Sequence, residues 1–147
     1  MLRFSMGLFV FLFGYSLLSL GADARVVVGG DDRGGQIGVY AKKYERIRDQ
    51  REPVVVKGNC LSACTLVLGI VPTNRMCVEN SAMFGFHAAW LPNENGRPQT
   101  SALGTQELLR IYPSDIRELI RKRGGLKKKM FFVRGDELPT RYRRSCR

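Results

Sequence analysis

The chain has one histidine, one tryptophan and 13 acidic residues against 24 basic ones. Each shortage narrows what it can do. With His87 as the lone imidazole, one ordinary side chain can trade a proton near neutral pH, and a general-base role has no second holder. The deficit of acids leaves a net charge of +11. Such a surface adheres to anionic partners, namely lipid headgroups, acidic envelope polymers or nucleic acid, unless the charge serves solubility alone. There is no internal repeat and no low-complexity tract. Beyond residues 4–20 no run is apolar enough to span a membrane.

What is present at the start is a short basic opening, Met1-Leu2-Arg3, then Phe4 to Leu20 without charge, then Gly21-Ala22-Asp23-Ala24. Small residues at Ala22 and Ala24 fit an A-x-A cleavage site, so residues 1–24 are expected to be a secretory signal peptide cut after Ala24. The rival is an uncleaved anchor, for which the apolar run is near the lower limit of length. The glycines at 7, 14 and 21 favour cleavage. Residues 25–147 suit one domain, periplasmic or secreted, and export makes nucleic acid the least favoured anionic partner.

Cys60, Cys64, Cys77 and Cys146 all fall in the exported part. An even count in an oxidising compartment predicts two disulfides, and the three possible pairings stay open. Cys60-x3-Cys64 with Cys77 and His87 would also make a zinc set, but the spacing is looser than C-x2-C and export favours oxidation. The expectation is therefore no metal and no cofactor.

The pattern of elements alternates. Arg25–Val28 reads as a strand, residues 29–35 as a glycine-rich loop, and 36–50 as a helix with Ile37, Tyr40, Ala41, Tyr44 and Ile47 on one face. Pro53–Lys57 reads as a second strand, residues 58–62 as a turn, and Ala63–Gly69 as a buried helix. Met76–Val78 and Met83–Trp90 follow as strands, then a turn-rich stretch over 91–104. Helices are predicted over Thr105–Tyr112 and Ser114–Lys122, with Ser114 in the N-cap region. A last strand over Met130–Val133, a partial helix over Asp136–Tyr142 and a basic tail close the chain. Strand and helix in alternation make βαβ units, so the fold class is α/β with a mostly parallel sheet. The unalternating valine runs suit strands buried on both faces.

Ser62 stands at a strand-to-helix turn, where unpaired N–H groups can hold an oxyanion. A serine nucleophile needs a base, and His87 is the candidate. Each residue has a plainer use as well: a serine at a helix start can cap it, and a histidine among aromatics can be a structural hydrogen-bonding residue.

Gly34-Gly35, the segment Val54 to Cys64 and the segment Asn80 to His87 together resemble the proteolytic subunit of the Clp protease. That family has a Gly-Gly loop, a Gly-x-x-x-Ser-small turn opening a buried helix, and an Asn-Ser/Ala-x-x-x-x-His segment. The 25-residue step from Ser62 to His87 equals the family's step from nucleophile to base. The chain is closer still to shortened, exported relatives carrying G-x-C-x-S-A-C-T and G-F-H. The likeness spans roughly residues 26–90. It implies a Clp-protease/crotonase-like domain with a shortened C-terminal helical part. Ser62 would be nucleophile and His87 base, with an oxyanion hole at the N–H groups of Gly34 or Gly35 and of Ala63. For the third member Asp136 lies near the expected distance, Asp115 is a further candidate, and aligning Glu137-Leu138 to the family puts Met130 at the acid position. A disulfide from Cys60 or Cys64 to Cys77 would pin the nucleophile turn. The implied activity is an exported serine hydrolase acting on peptide or other acyl substrates, with a crotonase-type acyl-thioester enzyme as a weaker option. The assembly surfaces look shortened, so oligomerisation stays open, and no ATPase-docking segment is recognisable. The alternative is a non-catalytic basic envelope protein gripping anionic polymers or lipid through Arg121–Arg123, Lys127–Lys129 and residues 141–147.

Overall fold

The computed structural model describes residues 25–143 and Cys146. The expected signal peptide lies outside the described residues. The chain runs β1 (Val26–Asp32), α1 (Ile37–Asp49), β2 (Val54–Leu61), a 3-10 turn (Ser62–Leu66) continuing into α2 (Val67–Ile70), β3 (Met76–Val78) and β4 (Met83–Phe86). Then come β5 (Trp90–Pro92), β6 (Pro98–Thr100), α3 (Ala102–Ile111), α4 (Ser114–Lys122) and β7 (Phe131–Arg134), with two further 3-10 turns over Gly135–Glu137 and Thr140–Tyr142.

The fold is mixed α/β with a mostly parallel main sheet. β2 is its centre. β1 pairs parallel along its whole length, from Val26 opposite Val54 to Asp32 opposite Cys60. On the other edge β2 takes β3 beside Val54–Val56 and β4 beside Asn59–Leu61, both parallel. β7 closes the sheet antiparallel to β4. β5 and β6 make a separate antiparallel ribbon.

One apolar cluster holds these elements together. Val54 and Val56 of β2, Phe84 and Phe86 of β4 and Val133 of β7 meet Tyr44 and Ile47 of α1, Leu66 and Leu68 of the segment after β2, and Ile116 and Ile120 of α4. The α4 pair is spaced i, i+4, one stripe of an amphipathic helix. Burying a side chain such as Phe84 contributes about 2–3 kcal/mol. On α1 the predicted apolar face forms, with Tyr44 and Ile47 fully buried and Ile37 and Tyr40 packed at its rim.

Three expectations need correction, and one left open is decided. Residues 29–32 are strand, not loop: β1 stays in register with β2 through Gly29 and Gly30, at φ +99° and +85°, where a side chain on Gly29 would strike the carbonyls of Lys57 and Asn59. β2 likewise continues through residues 58–61. α4 starts on Ser114 itself with no side-chain cap, whereas α3 is capped by Ser101, whose Oγ accepts the Gly104 N–H at 3.1 Å. The two expected disulfides form, and of the three open pairings the structure has Cys60 with Cys64 and Cys77 with Cys146, so neither cysteine flanking Ser62 is tied to Cys77. Two disulfides belong to an oxidising, extracytoplasmic environment, and they consume the sulfurs that a zinc site would need.

Candidate active site

β2 delivers Ser62 at its end in an unusual conformation. Arg51 and Ser62 are the non-glycine residues with positive φ among the described ones, and Ser62 stands at +56°. The left-handed region costs an L-residue about 1–2 kcal/mol, so the surroundings must enforce it. Three groups do. The Cys60–Cys64 disulfide brackets the residue. Thr65 Oγ1 donates to the Ser62 carbonyl at 2.6 Å. That donation uses the Thr65 proton, so the buried Tyr112 hydroxyl donates to Thr65 Oγ1, at 2.5 Å. Finally, Tyr44 OH donates to the Cys64 carbonyl at 3.0 Å. Burial pushes the phenols of Tyr44 and Tyr112 well above the usual tyrosine range, so both remain neutral donors.

His87 follows β4, whose last residue Phe86 is stacked on Phe131 with ring centres 5.5 Å apart and meets Tyr112 edge-on at 5.7 Å. His87 Nε2 lies 2.8 Å from Ser62 Oγ. Its Nδ1 lies 2.7 Å from the Ala88 carbonyl oxygen. A carbonyl can only accept, so Nδ1 carries the proton and Nε2 presents a lone pair to the serine hydroxyl. The orienting carbonyl is held still. Ala88 N–H donates to Lys127 O at 2.8 Å, Ala89 N–H to Thr105 Oγ1 at 3.1 Å, and Ala89 O accepts the Ser101 N–H at 2.8 Å. Ser62 and His87 are both half-buried, within reach of a substrate.

The structure brings Ser62 and His87 together and leaves the expected acid out. Asp136 Oδ1 bonds Arg134 Nε at 3.4 Å. The antiparallel register explains the distance from His87: Arg134 stands opposite Met83 and Phe131 opposite Phe86, so residues beyond 134 lie past the far end of β4. One step beyond Phe131 in that register is Met130, the alternative position. Asp115 is engaged by Arg141 at 2.6 Å through both oxygens. The group facing His87 Nδ1 is the main-chain carbonyl of Ala88.

Gly34 is pressed against the Ser62 turn, where a Cβ would stand 2.5 Å from Leu61 O, 2.6 Å from Ser62 Cβ and 2.8 Å from Ala63 N. Its φ of +79° also suits glycine. Its own N–H, one of the two glycine N–H groups expected to be free, is taken, because Asp32 Oδ1 accepts it at 2.9 Å. The same oxygen accepts Tyr40 OH at 2.5 Å. Burial, then the bond to Asp32, pushes the Tyr40 phenol up to about 12. Gly35 N–H has no hydrogen-bond partner among the described residues, and Ala63 is the second residue of a 3-10 turn whose own bonds begin at Cys64.

Sequence reasoning missed the Ala88 carbonyl, Asp32 and the Thr65–Tyr112 pair. Thr65, three residues after Ser62, carried the one readable signal, since threonines bond the carbonyl one turn back. Compared with known proteins, the sequence matches no family model and no curated protein.

Proposed function

We propose that this protein is a serine hydrolase on a Clp-protease/crotonase-like scaffold, acting on peptide or other acyl substrates outside the cytoplasm. The observation that carries the reading is the 2.8 Å contact between Ser62 Oγ and His87 Nε2, made by a serine at positive φ. Strained residues held at a strand-to-helix turn with a base in reach are the arrangement an activated nucleophile needs.

In this reading Ser62 Oγ attacks the acyl carbonyl while His87 Nε2 takes its proton. The N–H groups of Gly35 and Ala63 receive the oxyanion. The imidazolium then protonates the leaving group, and water repeats the cycle to release the acid and restore Ser62. The Ala88 carbonyl fixes the tautomer, which is one of the jobs of a triad carboxylate. It offers a partial rather than a full negative charge, so it stabilises the imidazolium less, and turnover is slow.

The test is labelling with a fluorophosphonate, which phosphonylates an activated serine and expels fluoride. The folded, oxidised chain is expected to label and Ser62→Ala not to. A folded wild-type chain that takes up no Ser62-dependent label overturns the proposal.

A further inference from the structure

Six large hydrophobic side chains stand exposed among the described residues, and three belong to one projection: Trp90 (54 % exposed), Leu91 (63 %) and Leu103 (78 %). Trp90 and Leu91 lie on the β5–β6 ribbon, and Leu103 is in the first turn of the helix that follows it. Every paired residue of the ribbon is exposed. A two-stranded ribbon with neither face covered is marginal by itself. Here its base is clamped by the Ala89 and Ser101 bonds described above. At its tip Asn93 Oδ1 accepts the N–H groups of Asn95 and Arg97 at 3.0 and 2.9 Å. The fold holds the ribbon out in solvent. Cross-strand pairs share a face, so Trp90, Thr100, Pro92 and Pro98 form one side of it, without a charge.

Its surroundings are basic. Lys127 O bonds the Ala88 N–H just before the ribbon. Lys128 lines a surface depression together with Asn93, Arg97, Pro98, Gln99 and Thr100. Lys127, Lys128 and Lys129 are all exposed. The nearby basic run on the last helix is different, since Arg121 and Lys122 face Glu118 and Arg123 faces Glu137. None of Arg97, Lys127, Lys128 or Lys129 forms an ion pair among the described residues, and Glu94 is the one acid on the ribbon.

We propose that this ribbon docks on an anionic lipid surface, with Trp90 and Pro98 in the boundary between headgroups and acyl chains and Arg97 and Lys127–Lys129 toward the phosphates. Tryptophan favours that boundary, and basic side chains beside it add attraction to anionic headgroups. A second copy of the chain fits poorly, since four unpaired cations would face their own kind on a protein of charge +11. Single-stranded nucleic acid also pairs charge with stacking, but the disulfides belong to an extracytoplasmic environment. Docking uses neither Ser62 nor His87 and stands apart from the proposed hydrolase activity.

The chain's one tryptophan makes the test specific to the ribbon. The full chain is mixed with phosphatidylcholine vesicles with brominated acyl chains, with and without phosphatidylglycerol, and Trp90 emission is followed. Quenching is expected only with phosphatidylglycerol present, and equally in Ser62→Ala. The combined variant Lys127→Gln, Lys128→Gln, Lys129→Gln should need roughly 100-fold more lipid. Arg121→Gln, Lys122→Gln, Arg123→Gln, which removes the same charge elsewhere, should stay near wild type. Any of three results overturns the proposal: no quenching on anionic vesicles, equal loss in both triple variants, or a single-stranded oligonucleotide that displaces the chain from vesicles.

Discussion

Gly34 walls the Ser62 turn so closely that a methyl group on it would stand 2.6 Å from Ser62 Cβ and 2.8 Å from Ala63 N. Gly34→Ala is expected to destabilise the fold by about 1–3 kcal/mol and to abolish fluorophosphonate labelling. Gly30→Ala shares the positive φ, at +85°, but meets no atom within 4 Å. It should cost about 1 kcal/mol and keep labelling. Urea melts and labelling gels compare the two. Equal labelling in both variants would remove Gly34 from the site.

His87→Gln should cut the labelling rate about 10²–10⁴-fold, the usual share of a positioned base. Asp136→Asn and Asp115→Asn should each label like wild type, because neither carboxylate touches the imidazole, whose Nδ1 is held by Ala88 O at 2.7 Å. A tenfold or greater loss in Asp136→Asn would restore the carboxylate to the mechanism and remove the carbonyl from it.

The two disulfides should separate stability from reactivity. Cys77–Cys146 spans 69 residues and Cys60–Cys64 spans 4. Loop-closure entropy assigns about 4 kcal/mol to the first and about 2 kcal/mol to the second. Replacing Cys77 and Cys146 by alanine should therefore lower the urea midpoint more. Replacing Cys60 and Cys64 should lower Ser62 labelling more, since that bridge encloses the strained residue. A common ranking in both assays would contradict this division.

Acid should loosen the last strand through Glu137. The Arg134 backbone N–H, at 2.7 Å, and then the Arg123 guanidinium hold its carboxyl below the usual glutamate range. A lowered folded value means the contribution is present above the ordinary range near about 4 and disappears as pH falls through the depressed value. The thermal midpoint of Glu137→Gln should thus start slightly lower at neutral pH and decline less on acidification. The pair is exposed, so the difference is small. Identical acid slopes in the two proteins would show that Glu137 plays no part.

Much of this was legible in the residues. α1, β3, α4 and β7 fall within a few positions of their expected places, because their apolar spacing is regular and Pro113 and Gly124-Gly125 punctuate it. The Ser62–His87 pairing followed from a resemblance, and spacing by itself could not have placed the two side chains within 2.8 Å. What stayed hidden depends on tertiary register. Gly29, Gly30 and Gly58 read as turn residues, yet the pairing of β1 with β2 carries both strands through them. Whether Asp136 or Met130 stands near His87 depends on how β7 slides along β4, and one step of register swaps the faces of every side chain. Disulfide pairing is likewise a property of the folded chain. Thr65 and Tyr112 are 47 positions apart, and nothing local announces that they meet.

The Ala88 carbonyl has a consequence for genetics. A main-chain oxygen survives every side-chain replacement short of one that moves the backbone, so alanine scanning would pass over the group that the proposed mechanism sets against Nδ1 of His87. Exchanging the Ala89 nitrogen for an ester oxygen by chemical synthesis weakens the basicity of that carbonyl and removes the N–H bonded to Thr105, so a slower labelling than in Thr105→Val would expose the silent member.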